Sequence, residues 1–305
     1  AEYAIWRYMQ ITGKKYTKNG KFIAMVGFEF SGNTDANGGE GHINVINSAD
    51  YVSADYGQRG PAPAWPEANW TIPQFYKWTK TAKPYANKGS IAIGFNHPKN
   101  DQYNDWDHLD EEVVKQISTF EIHTNFKTPR WEAYVRALNK GWKVSPIGVY
   151  DNHSINVIAN KDKFPPTQVI APKLTREEIT RAMKERRTYA TWIRDVEIKY
   201  AVNGNIMGST IQKSDAYQFE IVLNSNPANP ADCAKRIQIL KNHPQGKDDM
   251  VVVEEINFDD NKSAISWKPV IKDKDAKFFL VRVFHESDKN KEGEFKKHGS
   301  TFAAP

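Results

Sequence analysis

Five residues with metal-ligating side chains stand at the edges of short apolar runs. Glu29 follows Phe22 to Phe28, His97 follows Ser90 to Phe95, Asp151 and His153 follow Lys143 to Tyr150, and His42 opens the run Gly41-His42-Ile43-Asn44-Val45. Imidazole and carboxylate together bind zinc, manganese or iron, and a ligand set with open coordination positions activates water for hydrolysis. Asp151 and His153 are two residues apart, so on an extended strand end their side chains point the same way. Taken singly, His42 or His97 is more often a hydrogen-bonded structural histidine, and Glu29 an ion-pair member. Their occurrence as an ordered set points to metal. His108 and His123 read as surface or structural residues. His243, also in Asn-His-Pro, lies where no ligand set accompanies it and reads as a turn.

The elements that must position these residues alternate. Tyr3 to Tyr16 has Ile5, Trp6, Met9 and Tyr16 on one side at helical spacing, which predicts a helix packed outside a sheet. The Gly- and Pro-rich stretch Tyr51 to Asn69 predicts a long loop. Pro73 marks a helix start with Phe75, Trp78 and Thr79 inward. Strand, helix and strand follow at Ser90 to Phe95, Glu111 to Ser118 and Thr119 to His123. A further helix, Trp131 to Leu138, precedes a strand at Lys143 to Val149, an alternation expected of a parallel α/β architecture. Thr175 and Glu178 form a capping box opening the helix Thr175 to Arg187. Beyond it come β-like runs at Val196 to Val202, Tyr217 to Leu223, Ile237 to Leu240, Met250 to Ile256, Ala264 to Trp267 and Lys277 to Val283, which predict an all-β sandwich. A boundary near 195 gives an α/β domain over 1–195 and a C-terminal β domain over 196–305.

Composition excludes several classes. The 305 residues carry a net charge of +5 from dispersed lysines, which reads as a solvated surface, with nucleic acid not specifically indicated. One cysteine, Cys233, rules out an intramolecular disulfide and a cysteine-based zinc cluster. No run approaches the roughly 18 apolar residues of a membrane span. The first residue, Ala1, and the abundance of Asn, Trp and Tyr fit a secreted or periplasmic protein. Gly38-Gly39-Glu40-Gly41 lacks the strand and the Lys-Ser/Thr that a phosphate-cradling loop needs.

In order and approximate spacing, Gly27-Phe28-Glu29-Phe30, Gly41-His42-Ile43-Asn44-Val45, Phe95-Asn96-His97-Pro98, Phe120-Glu121-Ile122-His123 and Gly148-Val149-Tyr150-Asp151-Asn152-His153 resemble the polymerase and histidinol phosphatase superfamily. The branch of metallohydrolases that includes carbaryl hydrolase is the most similar, and there Arg186 to Thr191 and Val202 to Gly208 also find counterparts. The resemblance covers residues 20 to about 210. It implies a distorted (β/α)7 barrel with two or three divalent metals (zinc, manganese or iron) and hydrolysis of phosphoester or related bonds. Glu29 would bridge two metals, His42 and His97 would complete one, and Asp151 and His153 would bind the others, with Glu29 and Asp151 at the catalytic centre. Arg186 and Arg187 are candidates for contacting a substrate phosphate, with charge complementarity to a helix C-terminus as an equally good reason for them. Glu121 and Asn125 are candidate supports, or salt-bridging and capping residues. Trp65, Trp70 and Tyr76 could stack on a substrate or fill core and loop.

The family's opening His-x-His and Asp-His motifs have no counterpart here, so the expected barrel is N-terminally incomplete. The stretch could be processed and remain associated as a separate fragment of the same precursor, be lost, or be dispensable; an unpaired barrel edge favours the associated fragment. The leading expectation is a metal-dependent hydrolase, a phosphoesterase acting on a small-molecule or phosphoester substrate. The alternatives are a non-catalytic protein binding carbohydrate, nucleic acid or protein, and an ester or carbamate hydrolase.

Overall fold

Period-two alternation in Gly41–Ile46 buries Gly41, Ile43 and Val45 and leaves His42, Asn44 and Ile46 partly exposed, as in a strand with one covered face. The computed structural model describes residues 2–32, 40–53, 57–59, 70–123, 129–151 and 164–305. From the N-terminus the elements are α1 (Glu2–Tyr16), β1 (Gly27–Gly32), β2 (Gly41–Ile46), β3 (Tyr51–Ser53), β4 (Gly57–Arg59) and α2 (Ile72–Thr79). There follow β5 (Ala92–Asn96), α3 (Gln102–Asp105), α4 (Glu111–Val114), β6 (Ile117–His123), α5 (Trp131–Lys140), β7 (Ser145–Gly148), β8 (Thr167–Val169), α6 (Arg176–Lys184) and β9 (Thr188–Thr191). The remainder is β10 (Val196–Val202), β11 (Asn205–Ile206), β12 (Tyr217–Ser225), β13 (Ala234–Asn242), β14 (Met250–Lys262), β15 (Ala264–Trp267), β16 (Val270–Ile271), β17 (Phe279–His285) and β18 (Thr301–Ala303). Two units divide the chain: Ala1–Phe120, Lys140–Val144 and Val169–Glu185 form one, and Glu121–Asn139, Ser145–Gln168 and Arg186–Pro305 the other.

In the first unit β1, β2 and β5 pair antiparallel in that order, and β5 pairs parallel with β6. The covered face holds Phe30, Ile43, Val45 and Phe95, against which α2 sets Phe75 and Trp78; Phe30 and Phe75 stack at 4.5 Å. Pro73 lies in the first turn of α2, and the Thr71 backbone N–H donates to the Gln74 side chain at 2.8 Å. Strand β6 approaches β5 so closely that a Cβ on Gly94 would lie 2.0 Å from the Thr119 hydroxyl. Thr175 caps α6 by accepting from the Glu178 N–H at 3.2 Å.

The (β/α)7 barrel expected from the sequence is not formed. The described strands build open, largely antiparallel sheets, with six α-helices in the whole described structure. The physical reason lies in the connections. Residues 33–40 separate β1 from β2, fewer than the dozen or so that a parallel crossover needs. The helix expected over Glu111 to Ser118 is a single turn, α4, capped by Asp110, because Ile117 and Ser118 already belong to β6. Helix α1 forms where the spacing predicts and buries Trp6 as expected, but the other residues of that side do not follow it inward. Trp6 and Gln10 are buried, whereas Ile5, Met9 and Tyr16 point to solvent.

The second unit carries two sheets of its own, β11-β10-β12-β15 with β16 beside β12, and β14-β13-β17-β18-β9-β8. Tyr217 and Phe219 on β12 meet Phe279 on β17 at 4.8 and 5.3 Å between ring centroids, joining the two sheets through aromatic contacts. The hairpin between β10 and β11 turns through Asn203 and Gly204, both at positive φ (49° and 76°), which the right-handed twist of paired strands favours. Its long edge strand, β14, exposes Glu254, Glu255, Asp259 and Asp260, charges that oppose edge-to-edge association.

Buried histidines tie this unit to pH. His123 is enclosed completely; its Nε2 bonds the Ser300 carbonyl at 3.0 Å and its Nδ1 accepts from the Trp192 indole at 3.2 Å, so the neutral ring is fully satisfied. Burial pushes His123 down to about 4, against a weaker upward pull from the Ser300 carbonyl. Burial also lowers His285, and burial together with the Arg282 and Lys297 charges brings His298 to about 4. A histidine with a depressed folded pKa adds stability that is complete above its unfolded pKa and is lost as pH falls toward the folded value. The second unit should therefore lose stability between about pH 6.5 and pH 4, on the order of 3 kcal/mol from His123 alone. Thermal unfolding followed by near-ultraviolet circular dichroism across that window measures this; a flat melting temperature would contradict it.

Candidate metal site

Register places three of the expected ligands together. Ser31 of β1 lies opposite His42 of β2, Glu29 lies opposite Asn44, and His42 lies opposite Asn96 of β5. Glu29 and His42 are thus diagonal neighbours on the sheet face away from Phe30 and Ile43, and His97 follows directly after Asn96. The Glu29 carboxylate accepts from His42 Nδ1 at 2.6 Å, and its same oxygen lies 3.6 Å from His97 Nε2. The two imidazoles are edge-to-face at 4.8 Å. One ligand atom from each of the three residues falls within 4.8 Å of the others. Glu29 sits inside β1 rather than at the strand end that the apolar run suggests.

Electrostatics keep the carboxylate charged. Partial burial alone would raise the Glu29 pKa, but hydrogen bonds and positive charge from His42 and His97 outweigh it and hold the group well below the usual carboxylate range. About a quarter of each imidazole side chain remains exposed (26 % for both), so the cluster opens to solvent. His97 has φ 30° and precedes Pro98, a combination that sterics disfavour. Backbone strain of this kind concentrates at functional positions, where surrounding structure enforces it.

The enforcing structure is a left-handed turn that the sequence pattern did not reveal. Tyr103, Asn104, Asp105 and Trp106 all have φ between 51° and 66°, at a cost of roughly 1–2 kcal/mol each. Tyr103 and Trp106 are fully buried, packing on Phe95 at 4.7 and 5.0 Å. The Tyr103 hydroxyl donates to the His42 carbonyl at 2.5 Å and lies 3.4 Å from the Asn96 carbonyl. It therefore grips β2 and β5 where the two imidazoles leave them. The Tyr103 N–H donates to the Glu40 carbonyl at 2.7 Å, and the Glu40 carboxylate accepts from the Ile72 N–H at 2.7 Å, adding negative charge at the start of α2. Gly41, at φ 125°, gives the Tyr103 ring room; a Cβ there would come within 2.5 Å of it. The only sequence signal was Asn104-Asp105, residue types that tolerate left-handed backbone.

Asp151 is an exposed residue of the second unit at φ 50°, and His153 and Asn125 lie outside the described residues. Glu121 is buried in the part of β6 that belongs to the second unit. Arg186 is half-buried there, its Nε donating to the Gly208 carbonyl at 3.1 Å, which gives it a structural role; Arg187 is half-buried beside it. Trp70 and Tyr76 are core residues of the first unit, and Trp65 lies outside the described residues. His285 bonds the Thr301 hydroxyl at 2.9 Å, the spacing of a nucleophile and its base, yet both are fully buried and read as a structural pair.

Removing the Tyr103 hydroxyl (Tyr103→Phe) should destabilise the first unit by about 1–2 kcal/mol, and Gly41→Ala should cost roughly 2 kcal/mol or more. Urea unfolding of both variants checks this; wild-type stability in either would remove the turn as the enforcing element. No protein-family model matches the chain, and neither does any curated protein or solved structure.

Proposed function

We propose that Glu29, His42 and His97 hold a divalent cation and that the chain is a metal-dependent hydrolase acting on phosphoesters. The observation that carries this reading is the convergence of one carboxylate oxygen and two imidazole nitrogens within 4.8 Å on one sheet face. The donor set fits zinc, manganese or iron. Bonds of about 2.0–2.2 Å place tetrahedral ligands roughly 3.3–3.5 Å apart. The 3.6 Å between Glu29 and His97 is near that spacing, and the 2.6 Å hydrogen bond to His42 must open by somewhat under an ångström.

Glu29 is already ionised, so it can serve as a ligand without first losing a proton. His42 would ligate through Nδ1 after loss of the proton that bonds Glu29, which a bound cation displaces. The strained backbone at His97 holds its ring over the same oxygen. Three protein ligands leave a coordination position open, as in catalytic rather than structural sites. When bound, the cation supplies the Lewis acidity and positive charge that phosphoester hydrolysis requires. Partial exposure of all three side chains gives a substrate access to the site.

Dialysis against zinc or manganese followed by elemental mass spectrometry should give at least one equivalent per chain. His42→Ala and His97→Ala should each weaken binding beyond the roughly 10–100-fold cost of losing an outer-shell partner. Undiminished metal content in both variants would contradict the site. Aryl phosphodiester and aryl ester substrates assayed side by side decide the bond: ester turnover alone would replace the phosphoesterase by an ester or carbamate hydrolase. Stoichiometric metal with turnover of neither would leave a binding protein.

A further inference from the structure

Helix α1 presents its apolar side to solvent and is fixed in that orientation. On its inner side the Trp6 indole donates to the Ala49 carbonyl at 3.0 Å, and Gln10 donates to the Ser48 and Ala49 carbonyls at 3.1 and 2.9 Å. The Trp6 ring packs against Phe28 and Tyr51 at 5.8 and 5.4 Å. With these contacts in place the helix cannot roll. Ile5, Tyr8, Met9 and Tyr16, related by helical spacing, therefore form an outward crest, with Tyr8 70 % exposed and Ile5 and Tyr16 each 59 %. Ile11, also on the helix, adds to the apolar surface at 58 %. So many large apolar side chains in one patch mark an interaction surface rather than ordinary surface.

The charges around the crest say what it meets. Arg7, Lys14, Lys15, Lys18 and Lys21 are exposed; Glu2 is the one acidic residue among residues 1–22, and Asp50 faces Arg7, leaving the four lysines as the cations flanking the crest. The Lys15 ammonium lies 5.6 Å from the Tyr16 ring, a cation beside an amphipathic aromatic. Tyrosine and lysine side chains pair an apolar body with a polar tip, which suits the boundary between acyl chains and headgroups. A convex ridge needs no matching groove when its partner is a fluid lipid surface.

We infer that the outer face of α1, with its flanking lysines, docks this protein on an anionic lipid surface. The helix lies in the plane of the interface, with the crest among the acyl chains and the cations at the headgroups. This inference stands apart from the metal site.

Flotation of the whole protein with vesicles of phosphatidylcholine containing phosphatidylglycerol, and with phosphatidylcholine alone, tests it. Binding is expected on the anionic vesicles only and should weaken as salt rises. Each cation near such a surface contributes roughly five-fold, so Lys14→Glu with Lys15→Glu should weaken binding at least about tenfold. Ile5→Glu with Met9→Glu should abolish it, whereas Val222→Glu with Val252→Glu in the second unit should leave it unchanged. All substituted side chains are exposed, and circular dichroism confirms that each variant is folded. Absence of wild-type binding to anionic vesicles, or equal binding by both α1 variants, would overturn the inference. So would self-association of the wild type that Ile5→Glu with Met9→Glu abolishes, which would assign the crest to a second copy of the chain.

Discussion

The pairing of β2 between β1 and β5 is the constraint on which the site depends. Side chains alternate with a period of two, so a slip of one residue would exchange His42 for Ile43 and carry the imidazole into the apolar side. Ile43 and Val45, both fully buried, make that slip costly, since each such side chain contributes roughly 1.5–3 kcal/mol by burial. Pairing also fixes the diagonal approach of Glu29 to His42 and sets His97 one residue past the partner of His42. Apolar packing on one face thus determines the geometry of charged groups on the other.

The turn at Tyr103 acts on the start of β2 and the end of β5, from which His42 and His97 project. Its unfavourable backbone is offset by burial of two large aromatic rings and by hydrogen bonds that leave its key groups paired, including the Trp106 indole to the Asn100 carbonyl at 3.2 Å. Because the Tyr103 hydroxyl reaches the carbonyls of both His42 and Asn96, strain in the turn and strain at His97 belong to one connected arrangement. Arranged this way, the imidazoles and carboxylate are held close together, and in the proposed metal site the opening of the 2.6 Å bond between Glu29 and His42 would be the main adjustment.

Much of the site was legible because its signals are local. The apolar runs flanking Glu29, His42 and His97 mark the strands, although Glu29 falls inside β1 rather than at its end, and the donor types mark a set that could ligate a metal. Pairing direction was not legible, since apolar runs look alike in parallel and antiparallel sheets; the short link between β1 and β2 decides it. The facing of α1 was misjudged for a related reason. Helical spacing grouped Ile5, Trp6, Met9 and Tyr16 as the inner side, but the Trp6 indole and the Gln10 amide found carbonyl partners in the loop after β2, and those contacts turned Ile5, Met9 and Tyr16 outward. Tyr103 escaped notice because four successive left-handed residues other than glycine have almost no pattern in sequence.

The central claim concerns three atoms, and a crystal grown with manganese or zinc measures it most directly. The account predicts an anomalous-scattering peak about 2.0–2.2 Å from a Glu29 carboxylate oxygen and from one nitrogen each of His42 and His97. A fully metal-loaded protein with no peak at these residues, the 2.6 Å hydrogen bond between Glu29 and His42 still closed, would contradict it.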